Sequence, residues 1–463
     1  MSLRPARVLF LNLALFALAG IAAGGEAGPN PAETLPETKL PGLEAVIDKA
    51  MSQSPQMMAQ NVELARAAAG RTMAHSGLYP SLVANARYAD MAVSTTGTSN
   101  SNRVGLDYFL TLNQPLFHWG ELRAQAKAGD LDQDIASKQY AQAYRDLVGQ
   151  LRTLYLRLIL QKKALLIRER GLALAKKSLD YNRQQLAVGR ITQGQFDGQR
   201  MDFAEAQIGC DRDRAALAQA LESFASLAGV KDLRADSIPT DIPRPPWMDT
   251  QAALLVKDFD RAGGEASVPS VEIARDRIRQ SELRYKIAKV RLLPKLDATL
   301  QTSLQSQTYL VAGRVDQSAT HEQLAGLAVN WPIFDGFNAR AAKAQALADK
   351  RSSELQLKGA EDALDMRKHD AADQCGFSAR ELAIAEQRLD IARGGMSYIE
   401  GEFKANRASE SQVEAARTSL LNAQLAAMSA RADLYMRWSD LVGMLWMDPA
   451  LDRIPATYLS HAQ

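Results

Sequence analysis

Aromatic residues make up only 6% of the 463 residues, cysteine occurs twice, and no stretch offers 18 consecutive apolar residues. Each shortage excludes something. Few aromatics and an ordinary 23% charged content suit long Ala-rich helices better than a compact sheet protein. Without a long apolar run there is no ordinary membrane-spanning helix. Any crossing of a bilayer must therefore be a closed β-barrel, because open strands leave backbone groups unpaired in lipid. Charge of one sign is also lacking: Lys plus Arg is 55 against 53 for Asp plus Glu, so no basic face for nucleic acid is implied. The five histidines (His75, His118, His321, His369, His461) lack zinc-site spacing, and no G-x-S-x-G or phosphate loop occurs. An enzyme, a metal site or a cofactor has no supporting motif.

The first residues read as an export signal. Arg4 and Arg7 precede the apolar Val8–Ala19, and small residues follow, so residues 1–27 form a signal peptide with cleavage between 19 and 27. An uncleaved anchor is the other reading. Residues 28–42 form an extended leader. Cys210 and Cys375 fall at different heights of the helices described below, about 15 Å apart, too far for a disulfide. Two free thiols are expected.

What the chain has in abundance is self-similarity. "NQPLFHWGELRA" at 113–124 returns as "NWPIFDGFNARA" at 330–341, an offset of 217. The same offset matches Tyr181 with Tyr398 and Arg190 with Arg407; upstream an offset of 214 matches Pro55 with Pro269 and Pro80 with Pro294. A unit this long is a duplicated half, spanning 43–230 and 268–446. Residues 231–267, with the Pro cluster at Ile238–Trp247, connect the halves, and 447–463 form a tail.

Each half contains a long stretch without proline: 68 residues from Glu121 to Val188, and 69 from Phe337 to Ala405. Leu147, Leu151, Leu154, Leu158 and Leu165 trace a heptad-like seam. Helices of about 100 Å follow from the rise per residue. They end at Gly189, suited to a left-handed cap, and at Asn406 in the second half. Thr192-x-x-Gln195 and Ser409-x-x-Gln412 are capping boxes opening the next helices, Thr192–Ala228 and Ser409–Trp446. Shorter helices at Leu43–Ser76 and Pro269–Leu292 stack on those outgoing helices to match each long one; another short helix is expected at Asp249–Asp260.

Between the helices lie strands, at about 80–92 and 103–117, then 294–306 and 322–334. In "LDATLQTSLQ" Leu296, Ala298, Leu300, Thr302 and Leu304 alternate with polar residues. A lipid-facing and a lumen-facing side account for this, as would a soluble sandwich. Four strands cannot enclose a lumen, so the membrane reading requires several copies.

The paired junctions "QPLF" and "WPIFDG", the strand starts "YPSL" and "LPKL", and the two hairpin turns together resemble the TolC-type outer-membrane channel family. The resemblance covers about 43–446. It implies a mostly α fold with a transmembrane β-barrel portion: a homotrimer forming a twelve-stranded barrel continued by a twelve-helix periplasmic tunnel. It implies an exit duct of a tripartite efflux or type I secretion system, with a periplasmic adaptor and an inner-membrane transporter as partners and outer-membrane lipid around the barrel. The turn residues Gly189, Arg190, Thr192, Asn406, Arg407 and Ser409 match the family's adaptor-docking tips. Acidic residues ring the periplasmic entrance in well-known members; the matching positions here are Gln195 and Gln412, with Asp197, Glu410 and Glu414 nearby. Pro115, Gly120, Arg123, Pro332, Gly336 and Arg340 mark the strand–helix junctions, the arginines either stabilising them or simply solvated. Because the glycine lies five residues after Pro115 but four after Pro332, slightly different turns are expected. Trp119, Trp331 and Phe334 would anchor at the membrane interface or pack locally. A soluble periplasmic coiled-coil adaptor or scaffold is the alternative function.

Overall fold

The architecture comes from a computed structural model that describes residues 34–93, 101–231, 233–245, 251–311 and 314–455. The expected signal peptide and the loop tip at 94–100 lie outside the described residues. Helices α1 (Pro41–Gln53) and α2 (Pro55–Ser76) lead into strands β1 (Ser81–Val93) and β2 (Ser101–Phe117). Helix α3 (Glu121–Ala187) descends and α4 (Gln193–Ala228) returns. After the connector helix α5 (Gln251–Arg261), the second half repeats the order as α6 (Pro269–Lys289), β3 (Lys295–Val311), β4 (Arg314–Asn330), α7 (Asn338–Lys404) and α8 (Glu410–Met444).

The two long helices have 67 residues each. Each is covered by a stack of two shorter ones: α2 and α4, of 22 and 36 residues, along α3, and α6 and α8, of 21 and 35, along α7. The expected single helix Leu43–Ser76 is broken. Ser54 is extended, with ψ 131°, because the ring of Pro55 excludes the helical conformation from the residue before it. The stack on α3 is therefore α2 plus α4, while α1 turns aside. At the meeting point Gly229 is left-handed, and a side chain there would collide with the Gln53 carbonyl.

Two cores hold the helices together around mid-length. The first joins Leu43 and Ile47 of α1 to Tyr144, Leu147 and Leu151 of α3, Phe224 of α4 and Tyr435 of α8. The second joins Val256 and Phe259 of α5 to Val271, Leu364, Trp438 and Leu441. Cys210 is a free buried thiol in the first and Cys375 in the second. Burial pushes the Cys375 thiol up to about 12.

The leader expected at 28–42 is not extended where it is described. Residues Pro36–Thr38 form a 3-10 turn, and Pro41 occupies the first turn of α1, where its missing N–H costs nothing. Arg152 explains the fold-back. It is 1% exposed and donates from Nε to Glu37 at 2.9 Å, from Nη2 to Asp448 at 2.9 Å and from Nη1 to Ser439 Oγ at 2.8 Å. One guanidinium on α3 thus ties the first described turn and the C-terminal turn Pro449–Arg453 to the shaft.

The sheet is antiparallel in the order β1-β2-β3-β4, so β1 and β4 are its open edges. Its registers put Ala84, Leu110, Thr302 and Gln323 in one row and Leu82, Leu112, Leu300 and Ala325 in the next, all on one mostly apolar face. The opposite face carries Asp107, Thr111, Asn113, Thr299 and Gln301, and Arg87 pairs there with Asp107 at 3.0 Å. Three strand limits differ from expectation. Within the polar segment Ser306–Glu322, expected as a loop, residues 306–311 and 314–322 are ladder, because backbone pairing such as Thr308↔Gln317 needs no apolar side chain. The last strand, expected over 322–334, runs from Arg314 to Asn330. Its end is shorter than that of β2 for a simple reason: Gln114, Pro115 and Phe117 are strand only through pairing with β3, and the equivalent residues 331, 332 and 334 face the open edge.

Two outcomes follow. Replacing Arg152 with Met leaves Glu37 and Asp448 buried without their cation and is expected to cost about 3–5 kcal/mol, read as a lowered urea midpoint; an unchanged midpoint would refute the tie. A maleimide should label neither thiol in the folded protein and both in denaturant, as counted by mass spectrometry.

Candidate functional site: hairpin tips and strand–helix junctions

At the first tip Gly189 has φ 72°, its N–H bonds to the Leu186 carbonyl at 2.9 Å, and the Arg190 N–H reaches back to Gln185 at 2.9 Å. At the second Asn406 has φ 58°, with the matching bonds to Phe403 at 3.0 Å and from Arg407 to Glu402 at 2.8 Å. Both are the closing pattern that satisfies the last carbonyls of a helix. Asparagine replaces glycine without a change of backbone because it tolerates the left-handed region better than other residues with a side chain.

Three residues on, both capping boxes are formed. The Thr192 N–H donates to Gln195 Oε1 at 2.9 Å, and the Gln195 N–H to Thr192 Oγ1 at 3.3 Å. Ser409 and Gln412 repeat this at 2.7 and 3.3 Å. Each glutamine oxygen is thus turned back onto its own helix start. Of the nearby acids, Asp197 accepts from Gln193 at 3.2 Å and lies 3.4 Å from Arg200. Glu414 lies 3.0 Å from Arg417 and 4.0 Å from Arg170 of α3, linking the two hairpins. Arg190 is exposed, and Arg407 stands 3.8 Å from Glu402.

Higher up, α3, α7 and α8 enclose a groove of about 1210 Å³ lined by Arg145, Arg157, Arg367, Arg437, Asp433 and Asp440. Burial raises the carboxyls of Asp433 and Asp440, with Arg437 opposing the shift in the first and Arg145 in the second. No periodicity marks these residues as a group, since they come together only through packing of both halves.

At the junctions the backbone is the same in the two halves. Trp119 and Gly120 have φ 54° and 82°; Gly336 and Phe337 have φ 65° and 66°. These four are equivalent pairs at the offset of 217. The expectation of different turns is corrected: each turn is two consecutive left-handed residues, and glycine fills the second place in one copy and the first in the other. Pro115 sits inside β2 at a register shift, two residues before its end, whereas Pro332 follows β4. Arg123 and Arg340 are exposed, and among the described residues neither forms a hydrogen bond or ion pair. Other residues hold the junctions. His118 Nε2 meets Asp297 at 2.8 Å, Lys295 meets Glu121 at 2.6 Å, and the Trp119 indole N–H donates to the Pro294 carbonyl at 2.7 Å. The Trp331 N–H donates to Leu292 at 3.1 Å, and Asp335 caps α7 through the Ala339 N–H at 2.8 Å. The duplicated prolines marked the junctions in the sequence; the His118–Asp297 pair was not legible, its members lying 179 residues apart.

Among the described residues no helix is long and apolar enough to cross a membrane, and no His, Cys, Asp or Glu cluster suits a metal ion. The model of one protein family, described as outer membrane efflux protein, matches residues 46–230 and 265–445. The chain belongs to the outer membrane efflux protein family. No curated protein sequence matches it. Among solved structures, the outer membrane protein VceC of Vibrio cholerae is 18% identical over 88% of this chain and 96% of its own, with a TM-score of 0.66. The CmeC outer membrane channel of Campylobacter jejuni is 14% identical over 96% and 94%, with a TM-score of 0.68. The MtrE outer membrane channel of Neisseria gonorrhoeae, solved in an open state, is 17% identical over 88% and 89%, at 0.62. At these identities the likeness is one of fold. As a member of the family the efflux protein is an outer-membrane transport channel extending into the periplasm, and the soluble-adaptor alternative is set aside.

The shared junction backbone makes a specific expectation. Gly120→Val and Gly336→Val should each destabilise the protein by about 1–2 kcal/mol through the left-handed penalty, whereas Phe337→Gly should not, as measured by thermal unfolding in detergent. Equal losses for Gly336→Val and Phe337→Gly would contradict the paired turn.

Proposed function

We propose that three copies of this efflux protein close one barrel and act as the passive exit duct of a tripartite efflux or type I secretion system. The observation that carries this reading is the four-stranded sheet with two open edges and one apolar face. In lipid the edge N–H and C=O groups need partners. A second copy offers the matching edge, since β4 of one and β1 of the next are the outer strands of the same antiparallel order. Three copies give twelve strands, wide enough for a lumen where eight give little more than a filled interior. The twelve helical columns that follow, four per copy, continue the passage through the periplasm.

The polar sheet face then lines the channel, and the apolar face meets lipid. Trp119, Trp331 and Phe334, exposed at the junctions, fit the lipid–water boundary. The tips present Gly189, Arg190, Thr192, Asn406, Arg407 and Ser409 to a periplasmic adaptor, with the arginines as the charged contacts. Gln195, Asp197, Gln412 and Glu414 stand beside the entrance. Gln195 and Gln412 are committed to their capping boxes, so this entrance carries less negative charge than a ring of acids. The duct performs no bond chemistry; an inner-membrane transporter selects the cargo and supplies the energy.

The reading is tested on the purified chain and in cells. Light scattering in detergent should give a trimer, and planar bilayers should show discrete single-channel steps. Arg190→Glu with Arg407→Glu should lower export at least about tenfold, the loss expected when a few kcal/mol of docking contacts are removed, while trimers remain intact. A monomer without conductance would overturn the duct, and full export by the double variant would overturn the tip assignment.

A further inference from the structure

The duplication allows one seam to be read from another. Within a copy, the first long helix packs on the second half's short helices, α3 against α6 and α8. In a closed ring of alternating halves, the equivalent contact is α7 against α2 and α4 of the next copy. Applying the offsets of 217 for the long helix and 214 for the short one converts each observed contact into a pair between copies.

Inside the copy Lys138 of α3 holds Glu272 at 3.2 Å and Asp276 at 2.5 Å. Their equivalents are Leu355, Met58 and Val62. All three are large apolar side chains left exposed on the single chain, at 71%, 50% and 66%. Asp132 accepts from Gln280 at 2.5 Å; the equivalents are Asp349 and Arg66, an acid and a base, both exposed. The salt-bridged internal contact therefore maps onto an apolar trio flanked by an acid and a base.

The tip half repeats the pattern. Phe377, Ile384 and Ile391 form an exposed stripe on α7 at seven-residue spacing, where the matching Leu160, Ile167 and Leu174 of α3 are half-buried. On α4, Met201 and Ile208 are exposed at the same spacing, while α6 and α8, already covered by α3, expose no large apolar side chain among their residues. Transferring the level of the Arg170–Glu414 contact brings Gln387 beside Asp197 of the next copy, and with it Ile384 near Met201 and Phe377 near Ile208. Unpartnered apolar surface thus lies on α2, α4 and α7, the three helices that the equivalence assigns to the contact between copies.

We propose that the seam between copies is an apolar clasp, with Leu355 of one copy on Met58 and Val62 of the next, fastened by an Asp349–Arg66 ion pair and continued by the α7 stripe on Met201 and Ile208. The occupant of this surface is a second copy of the chain. The inference rests on the trimeric reading above but goes beyond it, because it names which side chains meet and with what chemistry.

The test uses the full chain in detergent with Leu355→Cys and Val62→Cys together, treated with a short bis-maleimide. Covalent dimers and trimers are expected from the double variant and only monomers from each single variant and from the native chain with its buried thiols. A trimeric mass without cross-linked species from the double variant would overturn the seam and leave the duct standing; a monomeric mass would overturn both. Independently, Arg66→Asp should lower the trimer fraction at limiting concentration several-fold, and adding Asp349→Arg should restore it. A trimer fraction that the second substitution fails to restore would remove the ion pair from the proposal.

Discussion

Everything in this efflux protein is arranged around backbone groups that must not be left bare. A strand in hydrocarbon has no water to satisfy its N–H and C=O groups. Four strands leave two edges, so the chain cannot finish its own membrane domain. The early end of β4 is this constraint seen at residue level. The residues equivalent to the end of β2 are not strand, because their only partner would belong to another copy. The helical part inherits the same incompleteness, with α7 lacking on its far side the cover that α6 and α8 give α3.

The junctions show how a duplicated sequence keeps geometry while changing residues. Turning a strand directly into a helix here takes two successive left-handed residues. One copy spends its glycine on the second of them and places Trp119 in the first; the other reverses the order and carries Phe337. Each non-glycine member works against the left-handed penalty and finds local packing. Trp119 lies edge-on to Phe117 at 4.9 Å, and Phe337 edge-on to Phe334 at 5.4 Å. Conserved backbone with exchanged side chains is the signature of a turn selected for its path.

Much of this was legible from local chemistry. Proline-free stretches and caps marked both long helices to within a residue or two, and Thr192-x-x-Gln195 and Ser409-x-x-Gln412 announced their own hydrogen bonds, because a capping box is complete within four residues. The strand alternation told which face would be apolar. What stayed hidden depends on groups far apart in the chain. Arg152, Glu37 and Asp448 become one buried cluster only after the segments around Glu37 and Asp448 fold back onto α3, so the turn at Pro36–Thr38 could not be told from an extended leader. The polar hairpin end at 306–322 was missed for another reason: side-chain pattern reports burial, and a ladder standing in water has none to report. The break at Ser54 was legible in principle, since Pro55 disfavours helix at the residue before it.

The seam proposed between copies differs in chemistry from the contact within one, and the two would form under different conditions. The α3–α6 contact joins parts of one chain, tethered through a connector, and its partners are never at a loss for local concentration. There a salt bridge such as Lys138–Asp276 suffices. The contact between copies has to offset the loss of translational and rotational freedom that association entails. Ion pairs at a surface contribute little toward that, whereas removing apolar area from water contributes about 25 cal/mol per Å². Replacing Lys, Glu and Asp by Leu, Met and Val at the equivalent positions is the change such a requirement selects. In the proposed seam the opposed charges of Asp349 and Arg66 would supply register, which an apolar surface alone specifies poorly. For the proposed seam, the difference between tethered and free partners accounts for the direction in which the equivalent side chains differ.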